Sequence, residues 1–441
     1  MMRSIVLLIL SWIYWIFVKI GEYLFKFFSS FHRESKEVTE VSEKLSRIAD
    51  KLIPAYEGSI LLTPFRSIVR KYGVLSHYVL IPLLTAAYIV LALMSSVPFP
   101  FLHSLIEGIL LWIIAVLIYC FSSRMGEDLS VKLDLRQVDE LEIAYFSLPL
   151  LLAGILILIY NYMNIGSLPV LTPELRSHNV VWMIGYDLYL IGISLFTSSL
   201  VSLHLSGRIS KSFLYEYAAL AIIFTVIVTF PSGFRLDVFT ALVPIIAVLW
   251  FRRVIKARHI VLYLLLPLFL IFVGQKYILM SRAGAQTDIW YILVSRAGFT
   301  LYSLSLIIKS FGPWGISYGK LLFLNPILTI LGVPRLLVGP FLGSVIVGIP
   351  SSYTSTFIGP IWVDFGIIGI IFLPLIFGTI TGIYYNLAAR GSSVSLALYS
   401  IMLSCMLVWI ESGPVHPYLY IPFFLTVPII PLVSRRRSVG G

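Results

Sequence analysis

Apolar residues along this chain come in runs of about twenty, the length that crosses some 30 Å of hydrocarbon as an α-helix. The runs are Ile5 to Phe25, His77 to Ser96, His103 to Phe121, Ala144 to Tyr162, Val180 to Leu203, Phe213 to Phe230, Leu236 to Phe251, Ile260 to Leu279, Phe365 to Tyr385, Val394 to Glu411 and Pro417 to Val433. They predict an all-α, polytopic integral membrane protein with about eleven transmembrane helices, forming a single transmembrane domain over 1–441. The first run lacks a small-residue cleavage site and is longer than a signal-peptide core, so it is expected to be a retained span.

Between the runs, basic residues concentrate in alternate connections: Lys26 to Lys71, Arg124 to Arg136, Arg208 with Lys211, Arg252 to Arg258, Arg390, and Arg435 to Arg437. The positive-inside trend makes these connections cytoplasmic, with the N-terminus outside and the C-terminus inside. Arg3, Arg176 and several bases between Ser281 and Asp364 run against the trend. Within the cytoplasmic segment 26–76, Val38, Val41, Leu45, Ile48 and Leu52 alternate three and four apart among charges. That pattern predicts a short amphipathic helix, lying on the headgroups or docking a partner such as a chain-length regulator.

The segment 281–364 is the longest stretch without a predicted span, an extracytoplasmic loop that is itself partly apolar at Tyr302 to Ile308, Leu321 to Leu331 and Leu336 to Ile349. Pro313, Pro326, Pro334, Pro340 and Pro350 break it, so its pieces read as interfacial or re-entrant helices packed over the spans. A hidden pair of spans within it would leave the sidedness of everything else unchanged.

Composition closes off other classes. With 59% hydrophobic and 12% charged residues, a soluble fold would have too little polar sequence to cover its core. The net charge of +11 is spent in loops beside apolar runs, where it meets anionic membrane lipids rather than nucleic acid. Cys120 and Cys405 lie inside apolar runs without metal or redox spacing. No Gly-rich phosphate loop and no His-Glu-x-x-His spacing occurs, so no cofactor or metal is expected.

Charged residues at span ends are costly and mark polar cavities. In the assigned orientation Glu107, Asp187, Arg235, Asp237, Lys276, Arg282, Asp364, Glu411 and His416 all lie near the outer ends of their segments. Arg235 sits in Pro231-Ser-Gly-Phe-Arg-Leu-Asp, a turn too short to carry a guanidinium far from the membrane unless it snorkels. Arg282 and Arg296 stand in a near duplication, Ser281-Arg-Ala-Gly and Ser295-Arg-Ala-Gly. Guanidiniums fork onto phosphate oxygens and stabilise a departing pyrophosphate; pairing with Asp237, Asp288 or Glu411 is the alternative. Among the carboxylates and imidazoles, Asp364 reads as a general base or a helix cap, while Glu411 and His416 flank a short turn and can accept a proton if tuned by neighbours.

Ser232-Gly-Phe-Arg-Leu-Asp opening one span, a long outer loop with arginines, and Thr354-Ser-Thr-Phe-Ile-Gly-Pro-Ile-Trp-Val-Asp-Phe-Gly-Ile-Ile-Gly opening another together resemble the oligosaccharide repeat unit polymerases, the Wzy-type O-antigen polymerases. Those enzymes resemble O-antigen ligases and join repeat units carried on polyprenyl pyrophosphate, at the outer face of the cell membrane and without a metal. The resemblance implies that Arg235, Arg282, Arg296 and Lys276 hold the donor pyrophosphate and that Asp364, His416 or Glu411 activates the acceptor hydroxyl. An Arg and Gly spaced by ten residues, found in the outer loop of some of these polymerases, does not occur at Arg282 or Arg296.

Three rivals remain at the level of sequence. A ligase would share the donor chemistry and differ in the acceptor. A polyprenyl-phosphate-sugar glycosyltransferase usually has an acid in the first outer loop, and Ser95-Ser-Val-Pro-Phe-Pro-Phe has none. A lipid-linked oligosaccharide flippase or other transporter should show symmetric halves and charge at mid-membrane, where these polar residues gather at one face.

Overall fold

The computed structural model describes residues 76–135, 138–166, 168–170, 179–255, 289–315, 317–324 and 354–414, with single positions and short pieces between 327 and 344 and between 427 and 436. All of them belong to one packing unit, Leu75–Gly441. The expected span Ile5 to Phe25, the amphipathic segment up to residue 75, the span Ile260 to Leu279 and most of Pro417 to Val433 lie outside the described residues.

Each described apolar run folds as a helix: α1 His77–Leu93, α2 Leu102–Ser130, α3 Glu140–Ile165, α4 Val180–Leu205, α5 Lys211–Thr229, α6 Arg235–Phe251, α7 Ile289–Ser310, α8 Ile358–Ala389 and α9 Ser393–Ser412. Side-chain caps start several of them, with Asp139, Asn179, Ser210 and Ser392 accepting from the second or third amide of their helices. Among the described residues, six helices are long and apolar enough to cross a membrane, and α1 and α6 are shorter apolar helices. The protein is therefore a polytopic, all-α membrane protein.

Outward-facing side chains support lipid as the solvent. Leu110, Ile113, Leu117 and Phe121 on α2, and Ile367, Ile368, Ile371 and Phe372 on α8, are exposed apolar rows that water would not tolerate at this density. Two helix seams use small residues that let the backbones touch, as expected where burial from lipid brings little gain. Along the α2–α8 seam a Cβ added at Gly382 would overlap the Ser123 carbonyl, and one at Gly378 would overlap Ser122 and the Tyr119 carbonyl. Ser123 Oγ donates to the Gly378 carbonyl across the same seam at 2.9 Å. In the second seam, α3 meets α4 at Gly154, packed on the Tyr189 backbone. Helix α9 is the buried axis, in contact with α1, α4, α6 and α8. Its Trp409 is fully buried.

Basic connections meet at one end of this bundle. Arg390 donates to the carbonyls of Ser130 (3.0 Å) and Leu133 (2.7 Å). Arg208 pairs with Asp139 at 3.3 Å. A short antiparallel ribbon pairs β1, Leu133–Leu135, with β2, Ser434–Arg436. Thus the connections around residues 124–136, 208–211 and 390 and the Arg-rich tail share an end, as the alternation of charge along the sequence predicts.

Helix α7 packs on α1 and α2 toward the opposite end. Thr300 hydrogen-bonds Tyr88, about 8 Å below the end of α1, while Leu304 and Ile308 pack on Gly108, about 9 Å into α2. Gly298, two residues before Thr300, packs on Ser95 and Val97 just beyond the end of α1, so α7 sits against the connection between α1 and α2 as well as on the helices themselves. The expected apolar stretch Tyr302 to Ile308 is thus part of a longer helix, Ile289–Ser310, packed on α1 and α2.

Candidate active site

Arg296 lies on α7 and reaches the last turn of α9, where its Nε donates to Glu411 Oε1 at 2.8 Å. A carboxylate at a helix C-terminus faces the negative end of the dipole, and the guanidinium offsets it. The pair is partly open, with side chains 36% and 21% exposed. Only Nε of Arg296 is engaged; among the described residues its two Nη groups make no hydrogen bond. The fork that suits a phosphate is therefore oriented and, among the described residues, carries no protein acceptor on its Nη groups.

Around the pair the backbone is clamped. Thr356, with φ of +62°, donates its amide to the Glu411 carbonyl at 3.2 Å. Gly413 lies so close to the Thr356 carbonyl that a Cβ would overlap it. One helical turn on from Arg296, a row of hydroxyls follows: Tyr88 to Thr300 at 3.1 Å and Thr300 to Thr354 at 3.2 Å. Sugar hydroxyls hydrogen-bond readily to such groups.

Asp364 sits in a different environment. It is fully buried, and its two oxygens accept the amides of Leu321 (3.1 Å) and Leu322 (2.8 Å). Its own carbonyl accepts the Tyr318 amide at 3.0 Å. Nearby, Gly366 takes φ of +57°, and the Pro313 carbonyl lies where its Cβ would stand; Ile367 donates to that carbonyl at 2.8 Å. Trp362 Nε1 donates to the Phe311 carbonyl at 3.0 Å. Residues 311–324, including the π-helical turn Lys320–Leu324, are thereby fastened across the start of α8. In this geometry the carboxylate caps backbone amides.

Arg235 opens α6 after the 3-10 turn Phe230–Ser232, with Gly233 at φ +75° and Ser232 Oγ accepting the Phe234 amide. The level of that turn follows from Ser404, whose Oγ donates to the Thr240 carbonyl at 2.7 Å. Both Arg235 and Glu411 lie one to two turns beyond this contact, toward the same end, about 8–10 Å along their helices. Asp237 is buried, and its carbonyl accepts the Tyr186 hydroxyl at 2.6 Å. The Arg235 side chain, Lys276, Arg282 and His416 lie outside the described residues. Among the described residues, no three His, Cys, Asp or Glu side chains converge into a set of metal ligands.

Of the site residues expected from sequence, the structure brings Arg296 and Glu411 together, and Arg235 begins a helix at their level. Tyr88 and Thr300 were not among those expected. Thr300 carried a signal, standing four residues from Arg296 on one helix face; Tyr88, in the middle of an apolar run, carried none.

A family described as "Putative O-antigen polymerase" matches residues 74–423. The chain belongs to the O-antigen polymerase family. This family region spans α1 to α9 and ends beyond the Glu411 turn, so every site residue named above falls within it. The chain is also 25% identical over 297 residues to the Uncharacterized protein MJ0419 of Methanocaldococcus jannaschii, covering 66% of this chain and 78% of that protein. No solved structure matches it.

Proposed function

We propose that this protein is a membrane glycosyltransferase that polymerises oligosaccharide repeat units carried on a lipid pyrophosphate, at the outer face of the cell membrane and without a metal. The observation that carries the reading is the Arg296–Glu411 pair. In a chain of this family, a guanidinium held by one nitrogen presents its two remaining nitrogens at the partly open end of the bundle.

In the proposed reaction the acceptor's terminal sugar hydroxyl attacks the anomeric carbon of the donor glycan. The bond from that carbon to the pyrophosphate oxygen breaks, and the lipid pyrophosphate leaves with its electron pair. Arg296, together with Arg235, Arg282 and Lys276, takes up the charge developing on the leaving group, the role that preorganised cations fill where no metal is used. Glu411 positions Arg296. His416, five residues along from Glu411, receives the hydroxyl proton; an imidazole titrates near neutral pH and carries the proton away without a large driving-force penalty. Asp364 positions the segment before α8. The hydroxyls of Tyr88, Thr300 and Thr354 border the glycan path.

The placement of the Arg296–Glu411 pair at one end of the bundle favours this reading over a flippase, which would need a polar path through the whole bilayer. Purified protein incubated in EDTA with a synthetic polyprenyl-pyrophosphate oligosaccharide should yield a ladder of products spaced by one repeat unit, read by gel and mass spectrometry. Absence of a ladder, with movement of the sugar-lipid across liposomes instead, would replace the polymerase by a transporter.

A further inference from the structure

At the opposite end of the bundle from Arg296, where the basic connections meet, the ends of α3, α4 and α6 border an open cleft of about 620 Å³ lined by Val138, Asp139, Glu140, Leu205, Arg208 and Arg252 among others. Its charges are arranged in two tiers. Arg208 and Asp139 form a half-exposed pair at the mouth, 3.3 Å apart. Deeper, Glu140 Oε2 and the Nε and Nη2 atoms of Arg252 are buried and, among the described residues, have no hydrogen-bond partner. Among the described residues no ion pair joins Glu140 to Arg252, although the two charges act on one another: burial pulls the Arg252 guanidinium below its ordinary value, and Glu140 draws it back up.

Opposite charges desolvated and held apart are costly unless something polar sits between them. One water does not fill the gap, since the cavity equals the liquid volume of about twenty. Its size is that of a small-ligand site. A ligand satisfying both groups carries an anion with several acceptors for the guanidinium fork and, a few bonds away, a cationic N–H donor for the carboxylate. Leu205 and Val138 at the margin are exposed apolar side chains at the end of membrane helices, where an acyl chain would continue into the bilayer.

We propose that this cavity binds the headgroup of an amine-bearing phospholipid, with the phosphate on Arg252 and Arg208 and the ammonium on Glu140 and Asp139. The site is remote from Arg296 and independent of the reaction proposed above.

The test is lipid retention by the full-length protein, measured by native mass spectrometry after equilibration with phosphatidylethanolamine, phosphatidylcholine and phosphatidylglycerol in equal amounts. The wild type should keep phosphatidylethanolamine about tenfold better than the other two, which lack either N–H donors or the cation. Arg252→Gln and Glu140→Gln should each erase that preference, while Arg252→Lys keeps part of it. Equal retention of all three lipids, or none, by the wild type would overturn the proposal without recourse to any variant. A preference untouched by Glu140→Gln would also overturn it, reducing the site to an anion contact. Soluble phosphoethanolamine binding as tightly as the lipid would overturn the lipid assignment in favour of a free phosphate.

Discussion

A half-open Arg–Glu pair adds only about 0–1 kcal/mol to stability, so the Arg296–Glu411 contact is poorly explained as a structural brace. Its value in the proposed reaction is orientation. Arg296→Ala is expected to reduce polymer formation at least about 100-fold while leaving expression and monodispersity unchanged, since one preorganised donor to a developing anion is worth that much. Arg296→Lys should recover little, because an ammonium cannot fork. Glu411→Gln should cost about tenfold by loosening the guanidinium. Exchanging the two residues should restore the contact without restoring activity. Product quantification per milligram of protein checks all four. Asp364 belongs to a different account: removing its charge weakens two bonds to buried amides, so Asp364→Asn should lower stability by about 1–3 kcal/mol, seen as a fall in Tm in detergent.

At the scale of elements, the spans were legible because a run of about twenty apolar residues has few other uses. The long outer segment was only partly legible. Pro313, just after Ser310, correctly marks where α7 stops, but the apolar stretch Tyr302 to Ile308 gave no hint that the helix begins at Ile289, upstream of Arg296. Periodicity could not place that start, since Arg296 itself interrupts the apolar run and turns toward α9 rather than toward water. Asp364 could be read as base or cap, and the choice depended on the amides of Leu321 and Leu322, 43 and 42 residues away in sequence. The α2–α8 seam makes its own prediction. Gly382→Leu forces backbones apart where they touch, so folded yield should collapse, as judged by fluorescence-detected size-exclusion chromatography.

For the whole molecule, charge alternation along the sequence matches the gathering of basic connections at one end and of Arg296 and Glu411 at the other. That polarity dictates an accessibility pattern. Cysteine placed at Tyr318, which is 81% exposed and bonded to the Asp364 carbonyl near the start of α8, should react in intact cells with a membrane-impermeant maleimide, and cysteine placed at Arg208 should react only after lysis. The opposite pattern would put the site on the cytoplasmic face. If this bundle joins glycans by expelling a lipid pyrophosphate beside Arg296, the leaving group can be counted. Purified wild type and Arg296→Ala should be given a synthetic lipid-pyrophosphate repeat unit in EDTA, and released lipid pyrophosphate measured against new glycosidic bonds. One pyrophosphate per bond is expected in the wild type and near-complete loss of both in the variant; bonds formed at an undiminished rate by Arg296→Ala would remove Arg296 from the reaction.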